Sequence, residues 1–168
     1  MKFLVVEGTV REGRKSIHAA RHVAELFDPG EREVPLLETR RYTDPGEPPG
    51  DIEEFGQEVE EADGLVLVCP EYNHSYPGAL KNLLDYLYPE YDGKPFSFVT
   101  VSGGGFGGVR VQEDLESLAV TLGGIPGPSL PVSNVGDVFS EEGELVDDDY
   151  VERFRDFRDR VVEHTRQH

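Results

Sequence analysis

The stretch LVLVCPEYNHSYPGALKNLLDYL, residues 65–87, reads as a strand, a loop and a helix in immediate succession. Leu65 to Cys69 is a continuous apolar run, as a strand buried on both faces requires. Pro77 opens a helix, because the missing N–H of a proline costs nothing in the first turn. Leu80, Leu83, Leu84 and Leu87 follow at i, i+3, i+4 and i+7, the spacing of one buried helical stripe. Between strand and helix stand Glu71, Tyr72, Asn73, His74, Ser75 and Tyr76, which carry far more hydrogen-bonding capacity than a connector needs.

The same unit recurs along the chain. Phe3 to Val6 is a second apolar run, and Ser16 is placed to cap a helix with Ile17, Ala20, Val23, Ala24 and Phe27 on its buried side. Asp28, Pro29 and Gly30 stop that helix. Glu33 to Leu37 forms a weaker strand, Thr43 to Gly50 a proline-rich loop, and Asp51 caps a helix along Ile52, Phe55 and Val59. Phe96 to Val101 is the fourth strand, followed by a glycine-rich loop and a helix with Leu115, Leu118, Ala119 and Leu122. A fifth strand lies between Ile125 and Val135. Asp147 to Asp149 start a last helix carrying Tyr150, Phe154, Phe157 and Val161, their charge suiting its N-terminus. Alternating strands and helices predict one α/β domain over residues 1–168, an open parallel sheet covered on both faces.

Composition narrows the function. Asp and Glu number 34 against 16 Lys and Arg, a formal net charge of −18, so nucleic acid would be repelled. No apolar run is long enough to span a membrane, and the short apolar run after Lys2 ends at Glu7, unlike a signal peptide. Cys69 is the only cysteine, which excludes an intramolecular disulfide and suits a cytoplasmic protein; it reads as a small buried hydrophobe. So large an acidic excess points to a high-salt (halophilic) cytoplasm, where the Debye length falls to about 3 Å at 1 M and self-repulsion is screened.

In an open parallel sheet, ligands bind beyond the carboxyl ends of the strands. Three segments fall there: residues 8–16, 69–77 and 102–110. The first, Gly8-Thr9-Val10-Arg11-Glu12-Gly13-Arg14-Lys15-Ser16, combines hydroxyls, three cations and a helix N-terminus, the makings of a phosphate cradle. It is not a P-loop, since Arg14 intervenes between Gly13 and Lys15 and no later strand ends in a magnesium-binding Asp. The third, Ser102-Gly103-Gly104-Gly105-Phe106-Gly107-Gly108, matches G-x-G-x-x-G only superficially. It follows the fourth strand, and no acid stands about 20 positions on. Its glycines leave backbone bare where a flat group could lie. A ligand with phosphate at one end and a flat hydrogen-bonding ring at the other would span all three segments, and flavin mononucleotide (FMN) has that shape.

At these residues the chain resembles the NADPH-dependent FMN reductase family of flavodoxin-like proteins. The matching positions are Gly8-Thr9-x-Arg11 with Ser16; Pro70-Glu71-Tyr72-Asn73-x-Ser75-x-Pro77-Gly78-x-Leu80-Lys81-Asn82 with Asp85; and Ser102-Gly103 with Gly107-Gly108 and Arg110. The resemblance covers roughly residues 2–122. It implies a flavodoxin-like three-layer sandwich, a five-stranded parallel sheet of order 2-1-3-4-5 with helices on both faces. It also implies bound FMN, NADPH or NADH as co-substrate, and hydride transfer to FMN, quinone or azo acceptors, in a homodimer or homotetramer. Carried over by position, Thr9, Arg11 and Ser16 hold the phosphate, with Arg14 beside them. Pro70, Glu71, Tyr72, Asn73 and His74 line the ring, and Ser102, Gly103, Gly104 and Gly105 approach its pyrimidine end. No catalytic acid or base and no metal is expected, since flavin carries the chemistry. His74 reads as a packing or backbone-bonded residue rather than a proton donor. The alternative reading is a flavodoxin-like electron carrier without NAD(P)H turnover, against which Arg11, Arg14 and Lys15 weigh, because a carrier of that type holds phosphate with hydroxyls.

Overall fold

The structure is a computed structural model that describes residues 1–27, 36–38 and 52–168. The expected helix stop at Asp28–Gly30, the proline-rich loop over 43–50, the Asp51 cap and the start of the second strand lie outside the described residues.

Strand β1 (Phe3–Glu7), β2 (Leu36–Glu38), β3 (Gly64–Pro70), β4 (Pro95–Val101) and β5 (Ile125–Val132) make one parallel sheet. β1 lies between β2 and β3, β4 beside β3, and β5 at the edge. Alternation along each strand sorts its side chains onto the two faces. Leu4, Val6, Leu65, Leu67, Phe96 and Phe98 face one way and pack on helices α2 (Ile52–Glu61), α3 (Gly78–Leu84) and α4 (Val109–Thr121) through Phe55, Leu80, Leu83 and Leu115. Phe3, Val5, Val66, Val68, Val99 and Val101 face the other way. They pack on α1 (Ser16–Phe27), the single turn α5 (Val135–Val138) and α6 (Asp148–Gln167) through Val23, Val135, Phe154 and Phe157. Cys69 is fully buried and its thiol pKa is pushed up by that burial and by the nearby Glu7.

Several boundaries differ from the sequence reading, each for a local reason. Asp147 does cap α6: its side chain accepts from the amides of Asp149 and Tyr150. The leucine stripe after Pro77 outlasts its helix. α3 ends at Leu84, and Leu87 stays buried in the turn beyond it. β5 carries Pro126, Pro128 and Pro131, which an edge strand tolerates because its outer N–H groups need no partner. α6 covers that edge: Arg153 donates to the Pro131 carbonyl at 2.8 Å and Arg160 to that of Ser129 at 3.1 Å.

α1 and α6 meet around a half-buried imidazole. His22 packs edge-on against Phe154, ring centroids 4.8 Å apart, and against Phe139 at 6.1 Å. Burial lowers its pKa, with Glu25 pulling the other way. A histidine whose folded pKa lies below its unfolded value of about 6.5 contributes full stability above that value and loses it as pH falls through the folded pKa. Unfolding free energy should therefore decline between pH 8 and pH 5.5 more steeply for the natural protein than for His22→Phe. Parallel slopes in denaturant titrations would show that His22 is not the group responsible.

Candidate cofactor site

The crevice between β1 and β3 is the place where the chain leaves neighbouring strands in opposite directions. Loops 8–15, 71–77 and 102–108 rise from the ends of β1, β3 and β4 around it. Gly8 N–H donates to the Val68 carbonyl at 2.9 Å, Glu71 N–H to Val101 at 3.2 Å and Ser102 N–H to Val132 at 3.0 Å, so each loop starts as a continuation of the sheet ladder.

A cavity of about 400 Å³ lies among them. It is lined by Arg11, Gly13, Arg14, Lys15 and Ser16 from the first loop, Pro70, Glu71 and Tyr72 from the second, Ser102 and Gly103 from the third, and Val101 and Val135. Eight of the thirteen positions expected at the site thus share one cavity wall. Thr9 is buried just behind it, its hydroxyl 3.0 Å from the Tyr72 hydroxyl, so it ties the first loop to the second. Gly104 and Gly105 lie off the wall and act through their carbonyls, which accept from Ser102 Oγ at 2.7 Å and Ser133 Oγ at 3.1 Å.

Asn73 and His74 do not reach the cavity wall. They are the exposed centre of a tight turn in which Tyr72 N–H donates to the Ser75 carbonyl at 2.9 Å and Ser75 N–H returns to that of Tyr72 at 3.1 Å. Their φ angles are +51° and +72°, the pair of left-handed residues that a two-residue type I′ turn demands. Their work is to aim Tyr72 at the cavity. Glycine at 74 should therefore keep flavin binding and leave kcat/KM within about threefold, whereas loss of a general acid costs at least about a hundredfold. Steady-state kinetics of His74→Gly separates the two.

The glycine loop is fastened rather than loose. Thr100 Oγ1 donates to the Gly107 carbonyl at 2.7 Å, Asn134 N–H to Gly104 at 2.9 Å and Val135 N–H to Ser102 at 3.1 Å. Gly107 has φ +61°, and a Cβ there would lie 2.7 Å from Pro131 Cβ. A Cβ on Gly103, Gly104 or Gly105 would meet nothing within 4 Å. The fold needs the later glycine, while the earlier three leave open space beside the cavity.

The cations are not equivalent. Arg14 Nε donates to the buried Glu7 Oε2 at 2.9 Å, and its side chain is only 10% exposed. Ser16, expected to cap α1, instead donates its hydroxyl to Glu7 Oε1 at 2.8 Å. Arg11 and Lys15 have no carboxylate partner among the described residues. Lys15 Nζ lies where a Cβ on Gly136 would come within 2.6 Å, so that glycine makes room for the ammonium. Across the cavity Arg110 donates to Glu71 Oε1 at 3.2 Å and sits 5.1 Å over the Phe106 ring. Glu71 Oε2 is buried without a partner, an acceptor waiting for a ligand donor. Of the other motif residues, Lys81 pairs with Asp85 at the C-terminal end of α3, and neither lines the cavity.

Two cations without a carboxylate partner among the described residues and the amides at the start of α1 at one end, and an orphaned acceptor with bare glycine backbone at the other, suit a phosphorylated, flat, hydrogen-bonding ligand. Its place, at the switch point of an open parallel α/β sheet, is where such folds bind ligands. Residues 1–136 match the family described as NADPH-dependent FMN reductase, and the chain belongs to that family. An NADPH azoreductase from Bacillus sp. (strain OY1-2) is 34% identical over 158 residues, covering 88% of this chain and 84% of the relative. A quinone reductase from Escherichia coli (strain K12) is 38% identical over 98 residues, 56% of this chain and 52% of the relative. A solved structure of a flavoenzyme NAD(P)H:(acceptor) oxidoreductase from Paracoccus denitrificans superposes with a TM-score of 0.79 at 21% identity, over 99% of this chain and 98% of that one. That likeness establishes the flavodoxin-like α/β fold.

Glu7 is the site residue that the sequence reading passed over. It stood only as the acid that ended an apolar run. Its odd position, shared with Phe3 and Val5, was the available signal that it points inward toward α1.

Proposed function

We infer that this chain is an FMN-dependent oxidoreductase that takes hydride from NADPH or NADH and passes it to FMN, quinone or azo-type acceptors. The observation that carries the reading is the single cavity at the β1–β3 crevice, which joins Arg11 and Lys15 to the open glycine backbone and the orphaned Glu71 oxygen. Bound FMN supplies a ring that accepts and returns hydride. The protein's own residues bind and orient. Arg11, Lys15 and the amides at the start of α1 hold the phosphate. Thr9 and Tyr72, joined through their hydroxyls, keep the first two loops in register. Pro70, Glu71 and Tyr72 wall one side of the ring, with Ser102 to Gly105 at its edge. The Asn73–His74 turn supports that wall.

A homodimer or homotetramer completes the proposal. The exposed rings of Tyr86, Tyr88 and Phe106 support it, being 38%, 67% and 67% accessible. Light scattering in 2 M KCl reads the assembly, and a monomer would contradict it. The net charge supports a salt-adapted cytoplasmic protein, and no helix among the described residues is long and apolar enough to cross a membrane. Thermal stability should rise from 0.1 M to 3 M KCl as self-repulsion is screened; a flat or falling series would count against salt adaptation. The enzymatic reading is tested by reconstituting the protein with FMN and adding NADPH or NADH with a quinone or azo acceptor. Turnover supports it, and bound flavin without turnover indicates a carrier.

A further inference from the structure

Glu7 is fully buried at the carboxyl end of β1, directly beneath the loop that holds three cations. An acid there opposes anion binding by simple charge, and its pKa is raised by burial despite its partners. Yet its carboxylate accepts from Ser16 Oγ at 2.8 Å and from Arg14 Nε at 2.9 Å. Glu7 ends β1 where the loop begins, and its two donors lie near the loop's far end and at the first residue of α1. Arg14 continues the brace, its Nη1 donating to the Arg11 carbonyl at 3.5 Å. One carboxylate therefore ties both ends of the loop together, and through Arg14 it reaches the backbone that carries Arg11.

We propose that Glu7 is the positioning residue of the phosphate loop, holding Arg14 and Ser16 so that Arg11, Lys15 and the α1 amides converge on the FMN phosphate. The proposal rests on the FMN reading for its ligand but not for its geometry. Glu7 does not touch the cofactor; it acts through the loop. Its charge and its reach are both required. Glutamine offers only one accepting oxygen and removes the negative charge that the largely buried Arg14 faces at 2.9 Å. Aspartate keeps the charge but is one methylene too short to reach Arg14 and Ser16 together.

The sign of the effect makes the test decisive. If Glu7 mattered only as a charge, removing it would tighten the binding of an anionic ligand. As a brace, its removal weakens that binding. FMN and riboflavin are titrated into Glu7→Gln, Glu7→Asp, Arg14→Gln and the Glu7→Gln/Arg14→Gln double variant by flavin fluorescence. Riboflavin has the ring but no phosphate. Glu7→Gln and Glu7→Asp should each weaken FMN on the order of tenfold and riboflavin by less than about twofold, and the double variant should be no worse than Glu7→Gln, because residues of one network do not act additively. Trypsin supplies a readout without cofactor. The apo protein should be cut after Arg11, Arg14 and Lys15 on the order of tenfold faster in the Glu7 variants, as local opening becomes easier. Tighter or unchanged FMN binding, equal loss for FMN and riboflavin, wild-type binding by Glu7→Asp, or strictly additive effects would each overturn the proposal. If Glu7→Gln does not fold, Glu7→Asp and Arg14→Gln decide it. Faster tryptic cutting in a protein whose natural form binds no FMN would leave the brace standing and remove the FMN reading.

Discussion

Replacing Arg11 and Lys15 together by alanine is expected to weaken FMN binding by about 3–6 kcal/mol, since each charge-assisted hydrogen bond is worth about 1.5–3 kcal/mol. These two cations line the cavity without a carboxylate partner among the described residues, whereas Arg14 is engaged by Glu7. Arg11→Ala alone should cost about 1.5–3 kcal/mol. Riboflavin, which lacks the phosphate, should lose less than about 0.5 kcal/mol in either variant, as expected for a change remote from its contacts. High salt narrows the difference without abolishing it, because the loop amides and hydroxyls are not screened as exposed charges are. Titration of both flavins at 0.5 M and 3 M KCl checks the expectation. Equal losses for the two flavins would move the phosphate away from the first loop.

Valine in place of Gly107 is expected to destabilise the fold by roughly 3 kcal/mol: about 1–2 for a β-branched residue at left-handed φ, and about 1–3 for overpacking. The backbone at φ +61° would carry a side chain straight into Pro131, and its Cβ would also lie 3.0 Å from Ser133 Oγ. Alanine at Gly104 meets open space, so it should change stability by less than about 0.5 kcal/mol, the usual range for a surface substitution. It should nevertheless weaken flavin binding, because the open space is the place assigned to the ring. Urea unfolding of both variants, with FMN titration of Gly104→Ala, separates glycines kept for the fold from glycines kept for the ligand. Equal destabilisation at the two positions would contradict the division.

The strands were plain in the sequence because burial on both faces leaves unbroken apolar runs, as in Leu65–Cys69 and Phe96–Val101. The start of helix α6 was legible, since Asp147 to Asp149 precede a clear apolar stripe; that Asp147 is the capping residue shows only in the structure. The glycine loop was legible as a place but not as a mechanism. Five similar glycines do not reveal that Gly107 is demanded by Pro131 while Gly103 to Gly105 face nothing. The Asn73–His74 turn escaped because the residues that usually announce a type I′ turn end in glycine, and histidine at positive φ shows only in the backbone. The types of Ser16 and Arg14 point to a helix cap and a phosphate site, because both residues commonly serve there. A partner nine positions back for one and seven back for the other is a matter of tertiary packing. The short turn α5 carried too little pattern to be seen, yet it supplies Val135 to the cavity wall and leaves Gly136 open for Lys15.

The central claim is that this crevice holds FMN in a form that a nicotinamide nucleotide can reduce. Anaerobic addition of NADPH or NADH to the FMN-reconstituted protein, followed at about 450 nm where oxidised flavin absorbs, tests it most directly. The band should bleach within the turnover time and return when a quinone is added. A bound flavin whose absorbance does not change with either nucleotide would contradict the claim.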